Sequence, residues 1–144
     1  MKTIFSLLAL LIAGSAMAAE VPDTPPANPY MRCAAINSIL NSQPEDRKKE
    51  LLFNFKLNME IHAKWAGLPY IGDYPRYKAD VASTMKALQE ELQTGRLSGD
   101  AFAEEFGNCL SLQARTMATF LACLQQLGVT DENKLVCMQK AVEL

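Results

Sequence analysis

Four cysteines are the residues of this 144-residue chain whose spacing says most about chemistry. Cys109, Cys123 and Cys137 follow one another at intervals of fourteen, and Cys33 lies far upstream. Such a set could hold a metal, supply a nucleophile or close two disulfides. Structural zinc sites bring their ligands in C-x(2–4)-C pairs, and the chain has none. With an export signal at the N-terminus, disulfides are the expected state, which leaves no thiol for catalysis. No metal and no cofactor are expected.

The rest of the catalytic inventory is thin. His62, the one histidine, stands between Ile61 and Ala63. As chemistry it would serve as a general base or a haem ligand, with Met59, Met85 or Met117 as a partner. No C-x-x-C-H attachment motif accompanies it, and methionines at helical spacing usually build cores. The expectation is an ordinary histidine on a helix surface. The carboxylate pairs Glu90-Glu91 and Glu104-Glu105 lie on polar faces with nothing apolar beside them to raise a pKa; they read as solvated surface. No phosphate-cradling glycine loop or dinucleotide fingerprint is present. The chain is therefore expected to bind rather than to catalyse.

One stretch suits binding. WAGLPYIGDYPRY, residues 65–77, holds the only tryptophan, three of the four tyrosines, two glycines and two prolines. Aromatic and arginine side chains are the favoured anchors of protein interfaces, and prolines lower the ordering cost of a binding loop. Trp65, Tyr70, Tyr74, Arg76 and Tyr77 are the partner-binding candidates. The competing reading is a helix–helix connection that folds its rings back over the core.

The elements that position these residues begin after an export signal. MKTIFSLLALLIAGSAMA has a lysine, an apolar run and an A-x-A end, the form of a secretory signal peptide. Cleavage after Ala18 would leave 126 residues of formal charge −3, since Lys2 leaves a chain of −2. The apolar run is too short to span a bilayer, which needs about 20 residues. Residues 19–28, with most of the chain's leading prolines, read as an extended mobile leader. Residues 29–144 are of a length that suits one domain. A mildly acidic chain offers no basic face to nucleic acid.

Cap signals then divide the domain into helices. Asn28-Pro29 opens the first, with Cys33, Ile36 and Leu40 on one face. Ser42-Gln43-Pro44-Glu45 has the capping-box form and opens a second that should run to Gly67. Within it FNFKLNMEIHAKW, residues 53–65, alternates apolar and polar as a strand does. Helix signals at both ends and the lack of a partner strand favour helix. Asp73 caps the third helix, which carries Tyr77, Val81, Met85, Leu88 and Leu92 and stops at Gly95. Leu97 and Phe102 flank a Ser98 cap as a hydrophobic staple. A fourth helix follows to Gly128, with Gly107-Asn108 as a candidate break. Thr130 caps the fifth, whose buried side is expected at Leu135, Met138 and Val142.

These helices decide the cysteine pairing. Cys109 and Cys123 share a helix about 21 Å apart, too far for a bridge, which needs Cα atoms within about 7 Å. Cys123 and Cys137 flank the turn at Gly128 and come level in an antiparallel hairpin. That leaves Cys33–Cys109 and Cys123–Cys137, out of three connectivities. The expectation is an all-α bundle of four or five helices closed by two disulfides, located in the periplasm or secreted. It should bind another protein, as an immunity or inhibitor-type protein of the bacterial periplasm does, and a homodimer is compatible with it. A carrier of a small apolar ligand (haem or lipid) and a general periplasmic stress chaperone are the other readings.

Overall fold

The structure, a computed structural model, describes residues 22, 24–46 and 54–143. The signal peptide, the cleavage point, the first part of the leader and positions 47–53 lie outside the described residues. The rest is helical: α1 (Pro29–Asn41), α2 (Phe55–Gly67), a 3-10 turn (Leu68–Tyr70), α3 (Tyr74–Gln93), α4 (Gly99–Leu127) and α5 (Asp131–Val142). There is no strand among the described residues, and none of their helices is long and apolar enough to cross a membrane.

The caps work as the sequence predicts at most ends. The side chains of Asn28, Asp73 and Thr130 accept from the backbone N–H groups of Met31, Arg76 and Asn133, which satisfies donors that a helix leaves unpaired at its start. Gly128 ends α4 at φ +88°, a left-handed conformation that other residues adopt only with strain. Three expectations need correction. The second helix is not one element from Pro44 to Gly67: Glu45 and Asp46 are helical, but α2 starts afresh at Asn54, whose side chain accepts from Leu57 N at 2.9 Å. Gly107-Asn108 does not break α4, which runs for 29 residues. Ser98 occupies the cap position of α4, yet its hydroxyl donates back to the Gly95 carbonyl at 3.0 Å instead of capping forward. Leu97 beside it is 2% exposed and packs with Phe102, so the apolar half of the expected staple forms.

α2 resolves the alternating segment. Its buried residues are Phe55, Asn58, His62, Trp65 and Ala66, spaced as one helical stripe. Two of the inward positions are polar, whereas Leu57 points out, 49% exposed. The alternation is thus a by-product of polar residues on the inner face. α1 and α2 are antiparallel, because Asn28 Nδ2 at the start of one donates to the Ala66 carbonyl at the end of the other, 3.1 Å away.

α1 is the axial element, packed against α2, α3 and α4. On one side Tyr30 and Met31 meet Trp65, Ala66, Leu68, Tyr70 and Ala141, with Met117 and Phe120 of α4 against them. On the other, Cys33, Ala35 and Ile36 meet Leu88, Leu97 and Cys109. The Tyr30 hydroxyl lies 2.7 Å from Thr116 Oγ1, which itself donates to the Leu112 carbonyl. Since Thr116 has one proton to give, Tyr30 is the donor across α1 and α4. Arg32 spans three helices: Nε and Nη2 donate to Glu105 of α4 at 2.8 and 2.7 Å, and its Nη groups also donate to Glu91 of α3. Glu91 and Glu105 are therefore not a merely solvated surface. The leader touches α3 at one point, where Ser83 Oγ donates to the Pro22 carbonyl at 2.7 Å.

Both disulfides form as the spacing predicts. Cys33–Cys109 and Cys123–Cys137 each hold Cα atoms 5.5 Å apart, within the normal range. The second staples the α4–α5 hairpin, where Cys123, Leu124 and Cys137 form a small core with the partly buried Phe120 against them. Beyond it every residue from 125 to 132 is exposed. The buried face of α5 is Cys137 and Ala141. Met138 and Val142 flank it, but Leu135, expected inside, is 41% exposed, since two positions from Cys137 it falls on the far side of the helix.

Candidate functional site

The aromatic stretch at residues 65–77 divides between core and surface. Trp65, 4% exposed, meets Phe120 edge-on with ring centroids 5.7 Å apart. Tyr70 is 9% exposed, and its hydroxyl donates to Asp80 Oδ2 at 2.7 Å. These two hold the turn onto the bundle. Tyr77 is half-buried, whereas Tyr74 is 64% exposed and Arg76 also faces solvent. Of the five candidates, then, Trp65 is removed from any surface, three (Tyr70, Tyr74 and Tyr77) converge on one place, and Arg76 stands beside it without lining it.

That place is an open groove of about 540 Å³ between the end of α2 and the start of α3. Ala63, Lys64 and Gly67 line it from α2, Gly72 from the turn, and Tyr70, Tyr74, Pro75 and Tyr77 from the opposite side. Gly67 leaves its part of the wall bare, although a Cβ there would rest 3.8 Å from the Tyr77 ring, in ordinary contact. The tyrosines support one another. Tyr70 meets Tyr77 edge-on at 5.5 Å, and Tyr77 stacks on Tyr74 at 6.3 Å. Lys78 Nζ lies 5.0 Å from the centre of the Tyr74 ring, and the Arg76 guanidinium 5.6 Å from that of Tyr70, distances at which a cation is drawn to an aromatic face. Sequence reading missed Lys64 and Lys78, because a lysine in an amphipathic helix carries no sign of which ring it will stand beside.

Burial pushes the Tyr70 hydroxyl up to about 12, assisted by its bond to Asp80. Burial also raises Tyr77, with Tyr74 adding to the effect. Neither supplies a phenolate at neutral pH. The groove therefore presents flat apolar walls, phenolic hydrogen-bonding groups and cations, which suit binding.

The other chemistry-bearing residues lie elsewhere. All four cysteines are bonded. His62 is not on a helix surface: it is 0% exposed, and neither ring nitrogen has a hydrogen-bond partner. Burial lowers its pKa to about 4, so the ring is neutral, with Tyr30 6.4 Å away between ring centres. Met85 packs on the core around Leu88 and Met117 on that around Trp65, so these two do not converge on one ligand position. No group of three His, Cys, Asp or Glu residues among those described could hold a metal ion.

Comparison with protein families, with curated proteins and with solved structures gives no match. The functional reading accordingly rests on the residues of this chain.

Proposed function

We propose that the chain is an exported, non-catalytic domain that binds another protein, in the manner of a periplasmic immunity or inhibitor-type protein. One observation carries this reading. Tyr74 holds 64% of its surface in solvent at the edge of a groove in which the neighbouring Tyr70 is held in place by its hydrogen bond to Asp80. A tyrosine offers a large contact area with few rotatable bonds, and a rigid setting spares the ordering cost that binding otherwise incurs. Two closed disulfides and the MKTIFSLLALLIAGSAMA leader favour an oxidising compartment.

The experiment is affinity capture with the oxidised chain, tagged at its C-terminus, from the periplasm of its host and from the medium of neighbouring strains. Tyr74→Ala is run in parallel. One partner in fixed stoichiometry, lost with Tyr74→Ala, is the expected result. A spread of unrelated clients would make the protein a chaperone, and a co-purifying haem or lipid would make it a carrier. Either outcome, or a partner indifferent to Tyr74, removes the proposal.

A further inference from the structure

His62 is a titratable group enclosed in the bundle with nothing to bond. It lies on the inner stripe of α2 between Asn58 and Trp65, and both its ring nitrogens lack a partner. A neutral ring can stay there, at the expense of hydrogen bonds left unmade. A protonated ring carries a charge and two N–H donors, and no acceptor stands within reach of either. At 0% exposure the ring cannot reach water unless the helix that carries it moves. An unpaired buried charge is expensive enough to drive such a movement.

The groups around it are otherwise engaged. On α1, Tyr30 is the ring beside it, and the Arg32 guanidinium is taken by Glu91 and Glu105. On α3, Asp80 accepts from Tyr70 and stands near Arg76, while Tyr77 lines the groove. α4 meets α2 through Phe106 and Phe120. Lys56, Glu60 and Lys64 of α2 itself are exposed, as are Lys140 and Glu143 of α5. Burial is the whole cause of the lowered His62 pKa, so no charge nearby compensates the protonated ring.

The covalent frame leaves α2 out. The disulfides tie α1 to α4 and α4 to α5. α2 is 13 residues long and is held by its packing and by the hydrogen bond from Asn28 to the Ala66 carbonyl. Opening one element costs less than unfolding the whole. We propose that α2 is an acid-released element: protonation of His62 detaches it from α1 while the disulfide-linked frame of α1, α4 and α5 stays folded. Because α2 supplies Ala63, Lys64 and Gly67 to the groove, its release also dismantles that groove. The consequence for a partner rests on the protein-binding reading; the release does not.

The test therefore reads the conformation alone. Trp65, the only tryptophan, lies one turn beyond His62 on the same buried stripe, so its emission reports α2. The oxidised chain is titrated from pH 7 to pH 4 by Trp65 emission, by far-ultraviolet dichroism and by amide hydrogen exchange. The closed-state pKa, about 4, lies below the 6.5 of a free histidine, so the closed form is fully favoured above pH 6.5 and loses ground as pH falls toward 4. Linkage then raises the opening equilibrium about twentyfold between pH 7 and pH 5. The α2 amides should show that rise after correction for intrinsic exchange. At each pH they should open more readily, and with a smaller denaturant dependence, than α4 amides near Cys109 and Cys123. Trp65 emission should shift to the red at a higher pH than the one at which helix signal is lost. His62→Leu should abolish the rise with every carboxylate still present, and His62→Gln repeats the test if leucine perturbs the fold. Coincident emission and dichroism transitions, α2 amides as protected as those of α4, or a rise that survives both variants each overturns the inference.

Discussion

Trp65 and Tyr74 are nine positions apart in the sequence and end on opposite sides of the boundary with water. Composition marked both as anchors. Only the packing of α2 against Phe120 separates them, because burial depends on partners that a local stretch does not contain. Trp65→Ala should cost about 3–5 kcal/mol in chemical denaturation, as a large buried ring does, whereas Tyr74→Ala should leave stability within about 0.5 kcal/mol. Tyr70→Phe strips a buried carboxylate of its donor and should cost about 1.5–3 kcal/mol. His62 was equally illegible: a polar residue on the inner stripe of a helix looks, in sequence, like one on the outer. Its folded pKa, about 4, lies below the ordinary histidine value, so the unfolded chain takes up the proton first as pH falls. The stability that neutral His62 allows is complete above pH 6.5 and is lost between there and pH 4. Equilibrium denaturation should show a loss of about 2 kcal/mol between pH 7 and pH 5, and His62→Leu should flatten that slope. An unchanged slope in the variant would place the titrating group elsewhere.

At the scale of elements, most helix ends were legible because capping is local chemistry. Asn28, Asp73, Thr130 and Gly128 act within a turn of their own position. The restart at Asn54 was not legible, because an asparagine caps a helix only where the backbone leaves the helical conformation, and the alternating segment around it carries no turn residue that marks such a place. Asn54→Ala should cost about 1 kcal/mol, measurable by thermal melting. The Arg32 junction was invisible for another reason: Arg32, Glu91 and Glu105 stand on three helices, far apart in sequence. Hydrogen bonds to Glu105 and then Glu91 hold the Arg32 proton more tightly than usual. Because the three side chains remain about a third exposed, Arg32→Met should cost only about 1 kcal/mol, less at high salt. A cost that salt does not change would mean that the arginine stem, not its charge, matters.

For the molecule as a whole, helix periodicity plus the reach of a disulfide were enough to pair the cysteines before any tertiary contact was known. The packing was not so accessible, since an apolar face read from periodicity need not be the one the neighbours cover; Leu135 shows the difference. The two bridges do different jobs. Cys33–Cys109 closes a separation of 76 residues and ties α1 to α4, so Cys33→Ser/Cys109→Ser should lose about 4.5 kcal/mol. Cys123–Cys137 closes 14 residues at the hairpin, and its double serine variant should lose about 3 kcal/mol. The second variant should also admit protease cleavage near Gly128 before the bundle unfolds.

The order of the cysteines along the chain has a consequence for how the protein matures. The bridges join the first cysteine to the second and the third to the fourth, so the two covalent rings follow one another without overlap. A chain threaded N-terminus first into an oxidising space, and oxidised as each thiol emerges, closes the native pairs in sequence. Such a protein needs an oxidant but no catalyst to reshuffle its bridges, and its yield should be indifferent to the loss of a disulfide isomerase.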